Sequence, residues 1–322
     1  MSAPFIQTVA LIGSGVIGRA WAFVFARAGC NVRAFDAWPE SLKACEAWLD
    51  ETLASETAEG YMSKEDAAAC KKRVSFHSDM AEALKGAGYV QESVRELLDL
   101  KQTLYKEMDR LAASDAILAS STSALNVEDF TGNLPGAARC IMAHPFNPPY
   151  VLPAVEVLGN KQTSQDTKDR TVRFLREVGQ KPVVMNAFIP GFIGNRLQAA
   201  LLREAFHLVE DGVADVEAVD TLLFDALGLR WALFGNFGVN NTNSDKGAAD
   251  YYQQFAGTYT ALSRDMRADP PTFAPDVVAR VDAEIKKLEG GATPIQLCRW
   301  RDKMVRNIRR LKKEIPHPGG RL

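Results

Sequence analysis

The chain begins its ordered pattern with a short apolar run, Thr8-Val9-Ala10-Leu11-Ile12, followed at once by glycines and then by a largely apolar stretch, Arg19 to Ala28. An unbroken apolar run bounded by glycine reads as a buried strand, and the longer stretch reads as a helix. Asn31-Val32-Arg33-Ala34-Phe35 is a second strand. From about Pro39 to Arg73 the chain turns polar, with Leu42, Cys45, Trp48 and Leu49 at helical spacing. This predicts a pair of helices inserted before a third strand at Tyr89-Val90-Gln91. A helix over Leu97 to Leu111 follows, then strands at Ala116–Ala119, Arg139–Ala143 and Pro153–Leu158. Strands alternating with helices predict an α/β fold: a Rossmann-type, doubly wound, mostly parallel sheet covered on both faces.

Near residue 188 the pattern changes. No strand pattern is found from Phe192 onward, and Asn195 to Asp211 carries apolar residues at positions 197, 201, 205, 208 and 209, the spacing of a helix. The prediction is therefore two domains, 1–188 with the sheet and 189–322 all-helical. The last helix, around Arg299 to Lys313, places Trp300, Met304, Ile308 and Leu311 on one face and eight basic residues around the rest. That arrangement reads as an amphipathic helix with its apolar face packed and its charged face solvated.

Composition narrows the classes of function. With 38 basic and 40 acidic residues the net charge is −2, which gives no electrostatic reason to expect nucleic acid or a membrane surface as partner. Five cysteines stand far apart without a CxxC pair, so they read as reduced, mostly buried thiols of a cytoplasmic protein, with no disulfide framework and no metal site. The apolar stretch near the N-terminus is interrupted by Arg19 and Arg27, and reads as neither signal peptide nor membrane span.

Two constellations carry chemistry. The first is Gly13-Ser14-Gly15-Val16-Ile17-Gly18, lying between a strand and a helix, with Asp36 at the end of the second strand. In a dinucleotide site the first glycine allows a tight turn, the second lets the backbone approach a pyrophosphate, and the third permits close packing of the helix. The pyrophosphate rests on the helix N-terminus, where N–H groups and the dipole favour an anion. Asp36 would accept bonds from ribose hydroxyls and repel a 2′-phosphate, and Ala37-Trp38-Pro39 supplies no cation to offset that, so NAD is expected over NADP. FAD proteins share this fingerprint. The second constellation, His144-Pro145-Phe146-Asn147-Pro148-Pro149 followed by Glu156, argues for NAD instead. It reads as a base held by a stiff loop and an orienting carboxylate on a strand, the equipment of proton-coupled hydride transfer.

With these motifs in order, the chain resembles the 3-hydroxyacyl-CoA dehydrogenase superfamily from end to end. It is most similar to the branch that holds L-gulonate 3-dehydrogenase and λ-crystallin, with carnitine 3-dehydrogenase as near kin. The residues that carry the resemblance are Ser121-Thr122-Ser123, His144-Pro145-x-Asn147-Pro148-Pro149, Gly191-Phe192-x-x-Asn195-Arg196-Leu197-Gln198, Gly228-Leu229-Arg230-Trp231-Ala232 and Arg299-Trp300-Arg301-Asp302. The resemblance implies that Ser123, His144, Glu156 and Asn195 are catalytic. It also implies that Glu96 and Lys101 are contacts on the nicotinamide side, with Ser123 and Asn147 nearby. His144 would take the alcohol proton, and Ser123 and Asn195 would hold the reacting oxygen.

Arg230 bears on the substrate. Relatives that act on coenzyme A thioesters have an apolar segment at this place, whereas a guanidinium clamps a carboxylate. A small free 3-hydroxy carboxylic acid is therefore expected, a sugar acid such as L-gulonate first. Carnitine, 3-hydroxybutyrate, an acyl-CoA thioester and a catalytically idle crystallin-like role remain open. Asn236-Phe237-Gly238-Val239-Asn240-Asn241-Thr242-Asn243 departs from the gulonate and carnitine patterns, and its amides could serve either the substrate or turns. The many apolar residues between Leu222 and Phe237 predict a homodimer formed through the helical domain.

Overall fold

The computed structural model describes residues 4–315, 317 and 318. The chain forms two compact units, one taking in the described residues up to Ile193 together with those from Met304 onward, the other Gly194–Lys303.

The first unit is an eight-stranded sheet whose elements run β1 (Thr8–Ile12), α1 (Val16–Arg27), β2 (Asn31–Phe35), α2 (Pro39–Ala58), α3 (Lys64–Lys72), β3 (Val74–His77), α4 (Met80–Leu84), β4 (Tyr89–Glu92), α5 (Leu98–Leu111), β5 (Ile117–Ser120), α6 (Val127–Thr131), β6 (Cys140–Pro145), β7 (Ala154–Gly159), α7 (Gln165–Glu177) and β8 (Lys181–Val184). Strand order is β3-β2-β1-β4-β5-β6-β7-β8. The β6–β7 pairing is antiparallel and the other six pairings are parallel. The order reverses between β1 and β4, which opens a crevice at the carboxyl ends of the strands.

The period-two alternation of strands divides the core in two. Val9 and Leu11 of β1 turn to the face packed by Trp21, Phe23 and Phe25 of α1 and Phe174 of α7. Ala10 and Ile12 turn to the other, packed by Tyr105 and Met108 of α5 and Phe130 of α6. Helix α1 is buried on almost every side, as its nearly continuous apolar sequence demands.

Two strands differ from the sequence expectation, which placed none between Phe35 and Tyr89 and none after Leu158. β3 pairs with β2, and β8 with β7. Each is a four-residue strand at an edge of the sheet, mostly half-buried or exposed, and edge positions impose no long apolar run on the sequence.

The second unit contains α8 (Gly194–Glu210), α9 (Val216–Leu222), a π-helical turn (Leu223–Leu227), α10 (Gly228–Asn241), α11 (Ala248–Asp265), α12 (Pro275–Leu288) and the first half of α13 (Pro294–Glu314). Among the described residues it has no strand. Val216–Asn241 is long and apolar enough, by length and composition, to cross a membrane. It is interrupted by the π turn and by Gly235, whose φ is 71°.

The helix expected over Asn195–Asp211 is present as α8, with Leu197 and Leu201 exposed and Val209 buried. On α13 the expectation is inverted. Trp300, Met304, Ile308 and Leu311 are exposed, while Arg301, Arg306, Arg309 and Lys312 are among its half-buried residues.

Candidate active site

The glycine loop lies at the carboxyl end of β1, in the crevice. Gly13 has φ 96°, and a Cβ there would meet the Ser93 carbonyl at 2.8 Å. A Cβ on Gly18 would lie 1.9 Å from the Gly13 carbonyl oxygen, so the close approach demanded here is of helix α1 on the loop itself. Gly15 differs, since a Cβ there meets nothing within 4 Å. The first turn of α1 holds no acidic residue and its N-cap makes no side-chain bond. Open space above Gly15 and N–H groups with no side-chain acceptor are what a pyrophosphate requires.

Asp36 ties the second strand to this loop. Its Oδ2 accepts from the Ser14 N–H and hydroxyl, both at 2.8 Å, and its Oδ1 accepts from the Trp38 N–H at 3.0 Å. Oδ1, with a single donor, keeps acceptor capacity for a ribose hydroxyl. The residues present therefore fit a dinucleotide.

His144 and Glu156 are directly opposed in the antiparallel β6–β7 register. Residues twelve apart thus meet because this is the one place where the sheet reverses direction. His144 Nδ1 lies 2.8 Å from Glu156 Oε2, and both side chains are buried. Ionised carboxylate oxygens only accept, so Nδ1 carries the proton and, in the neutral ring, Nε2 keeps the lone pair. The rings of Phe146 and Phe192 flank the imidazole with centroids at 5.6 and 5.3 Å. The other oxygen, Oε1, accepts from the Ile193 N–H at 2.8 Å. Both carboxylate oxygens are thereby fixed.

A third group lies at the ends of β4 and β5, where Glu96 and Lys101 are joined by Glu92, a residue the sequence did not announce. Glu92 is fully buried and accepts from Lys101 Nζ at 2.7 and 2.8 Å, from the Ser120 hydroxyl at 2.6 Å and from the Val94 N–H at 2.7 Å. Lys101, at 1% exposure, also faces Glu96 Oε2 at 3.4 Å. Its ammonium points to two carboxylates. Glu96 Oε1 accepts from the Thr122 hydroxyl and from the N–H groups of Ser123, Ala124 and Leu125, the last three at 2.9, 2.9 and 3.2 Å. Burial pushes the Glu96 carboxyl up, but the Thr122 hydroxyl, the Ala124 and Leu125 N–H groups and Lys101 outweigh it and hold the carboxyl below its ordinary value. The three charges thus form an acid–base–acid chain that fixes the backbone of the exposed Ser123. Only a view of β4 and β5 side by side reveals Glu92; in sequence it is merely the last residue of a strand.

The remaining expected residues are placed as follows. Asn147 is exposed just beyond β6 and precedes a cis peptide bond to Pro148. Asn195 lies in the first turn of α8, two residues after Ile193, and Arg230 is exposed on α10; both belong to the second unit. Two of the downstream amides serve the fold. Asn240 Nδ2 donates to the Tyr252 hydroxyl at 2.9 Å, and Asn241 Oδ1 accepts from the Ala248 N–H at 3.0 Å. A groove of about 510 Å³ between α2 and α3, lined by Asp50, Leu53, Lys64 and Lys71 among others, includes none of the expected site residues. Among the described residues no cluster of three or more His, Cys, Asp or Glu could hold a metal ion.

Strand order, glycine loop, ribose carboxylate and the His–Glu pair define an NAD-binding oxidoreductase of Rossmann type. The chain belongs to the 3-hydroxyacyl-CoA dehydrogenase family: residues 8–188 match its NAD binding domain and residues 191–280 its C-terminal domain. It is 35% identical to the λ-crystallin homolog of Bos taurus over 311 residues, covering 96% of each chain. It is 40% identical to the L-carnitine dehydrogenase of Oceanobacillus iheyensis over 237 residues, covering 72% of this chain and 74% of that one. Among solved structures it resembles 5-formyl-3-hydroxy-2-methylpyridine 4-carboxylic acid 5-dehydrogenase, an NAD+ dependent dismutase, with a TM-score of 0.76, 28% identity, and coverage of 96% and 98%.

Proposed function

We propose that the protein oxidises the 3-hydroxyl of a small free 3-hydroxy carboxylic acid, a sugar acid such as L-gulonate by first choice, with NAD as acceptor. The observation that carries this reading is the buried His144–Glu156 pair at 2.8 Å. Bound NAD would supply the hydride acceptor, the one piece of chemistry the chain lacks. His144 Nε2 removes the hydroxyl proton, and Glu156, accepting from Nδ1–H, stabilises the imidazolium that forms. Ser123, its backbone fixed by Glu96, and Asn195 hold the reacting oxygen while its charge changes. The Arg230 guanidinium clamps the substrate carboxylate, which favours a free acid over a thioester.

A carnitine-type substrate is the second reading. The likeness to the Oceanobacillus enzyme favours it, as do the half-exposed rings of Tyr252, Phe255 and Tyr259 on α11, faces of the kind a quaternary ammonium uses. NADH production across gulonate, other sugar acids, carnitine and 3-hydroxybutyrate, with the matching thioester as control, separates the two. Turnover confined to the thioester overturns both. His144→Ala should lower turnover by about 10³-fold while NAD binding persists, and an active His144→Ala enzyme sinks the proton-transfer role.

The working form is a homodimer in the cytoplasm. In the second unit Leu222, Phe224, Leu229, Leu233 and Phe237 are all exposed, Phe237 to 77%. Large apolar side chains exposed in this number favour a partner, and a second copy of the same unit offers the same residues.

A further inference from the structure

The match to the family's C-terminal domain ends at residue 280, yet the chain continues through α13 and returns to the first unit from Met304 on. What that segment grips is the loop between β6 and β7, the only connection from His144 to Glu156. Arg309 Nη1 donates to the Val151 carbonyl at 2.7 Å. The Arg306 guanidinium pairs with the buried Glu56 of α2 and lies over the rings of Tyr61 and Tyr150, 4.7 and 5.7 Å from their centroids. From the other side Tyr150 meets Phe23 of α1 at 5.7 Å and Trp48 of α2 at 5.8 Å. The loop closes on itself through the Val151 and Leu152 N–H groups, which donate to the Pro148 carbonyl at 3.0 and 2.9 Å.

We propose that Arg306 and Arg309 are positioning residues for the catalytic pair: the distal half of α13 holds the Pro148–Pro153 loop, and through it the alignment of His144 with Glu156. The argument is one of leverage. β6 and β7 are joined by eight residues, and the chain on both sides of that loop carries a reacting group. A guanidinium on a loop carbonyl and another over a loop aromatic restrain it at Tyr150 and Val151, midway between the two. The burial along α13 agrees, because Arg306 and Arg309 are half-buried while Met304, Ile308 and Leu311 are exposed. Among the described residues the hydrogen bonds and ring contacts of the two arginines go to Val151, Glu56, Tyr61 and Tyr150, so the NAD seat should be indifferent to them.

This inference rests on His144–Glu156 as the reacting pair. The test uses the full chain with Arg309→Ala, Arg306→Gln and the conservative Arg309→Lys. We expect Arg309→Ala and Arg306→Gln to lower kcat about tenfold, in keeping with a small misplacement of a reacting group. NADH affinity, read by cofactor fluorescence, should stay within about twofold of the parent. The limb of the kcat/KM pH profile assigned to His144 should shift, the Val151 and Leu152 amides should exchange faster, and Arg309→Lys should restore most of kcat. If both variants melt earlier but keep kcat and the pH limb, α13 is only a structural bolt and the proposal is overturned. Unchanged kcat with unchanged melting overturns it equally. An inactive His144→Ala beside a fully active Arg309→Ala removes this inference alone, whereas an active His144→Ala removes the site reading and this inference together.

Discussion

The two units are built in opposite ways. Both core clusters are drawn entirely from residues of the first, from Ile6 to Phe192, and their side chains close over both faces of the sheet. In the second, the buried hydrophobics are few, Val209, Val216, Val239 and Tyr251, while large side chains on every long helix face outward. A unit must bury apolar surface to offset the chain entropy of folding. The first does so within itself, and the second leaves that surface on its outside. The contrast teaches where each part of the function is housed. The His144–Glu156 pair, proposed to handle the proton, sits in the half with its own core, and the proposed carboxylate clamp sits in the half that leaves its apolar side chains exposed.

The largest expected effect lies on the second unit. Leu229→Asp combined with Phe237→Asp should convert the proposed dimer to a monomer at micromolar concentration, seen by sedimentation, with NAD affinity kept by the first unit. Truncating a buried anchor at such a contact costs about 2 kcal/mol or more each, and placing a charge there costs further. A doubly substituted protein that sediments like the parent breaks the comparison.

Lys101→Met tests the first unit from within. Removing one partner of a buried ion pair costs about 3–5 kcal/mol, because Glu92 is left without its counter-charge. Urea unfolding should show that loss, while Lys246→Met, on the exposed surface of the second unit, should stay within about 0.5 kcal/mol. Comparable costs for the two would mean the first unit is not prearranged as described.

The glycine loop sharpens the same point at smaller scale. Gly18→Ala should destabilise the fold, since its Cβ would lie 1.9 Å from a backbone oxygen, whereas Gly15→Ala should fold normally and bind NAD about tenfold more weakly. Thermal melts and cofactor titration distinguish the two outcomes.

The smallest effect is a pH limb. Because the folded Glu96 carboxyl is held below its ordinary value, its contribution is complete above the usual carboxylate range and is lost as pH falls through the depressed folded-state value. Glu96→Gln should flatten that acid limb in a stability profile. An unaltered limb assigns it to another carboxyl.

Much of this was legible before any coordinates. The glycine fingerprint and Asp36 declared the crevice, because Gly13 and Gly18 answer local steric demands that no other residue meets. His144 and Glu156 stood out because a histidine among prolines and a carboxylate in an apolar strand both need a reason. Three things were not legible. β3 and β8 are short edges that carry too little apolar pattern to separate from their surroundings. The Glu92–Lys101–Glu96 chain depends on β4 lying beside β5, which spacing along the chain does not convey. The arginines of α13 reach partners more than 150 residues away, and an amphipathic pattern says which side is apolar but not which side will be covered.

The lone antiparallel step in the sheet has a consequence for how the family can vary. Side chains on β7 alternate between its faces, so one residue added inside that strand would swing Glu156 to the opposite surface and leave His144 facing a neighbour of the wrong kind. A residue added between Phe146 and Pro153 would lengthen the connection without turning the carboxylate over. Evolution of this enzyme can therefore edit the length of the bend, within what the α13 arginines tolerate, but not the parity of the strand that follows it.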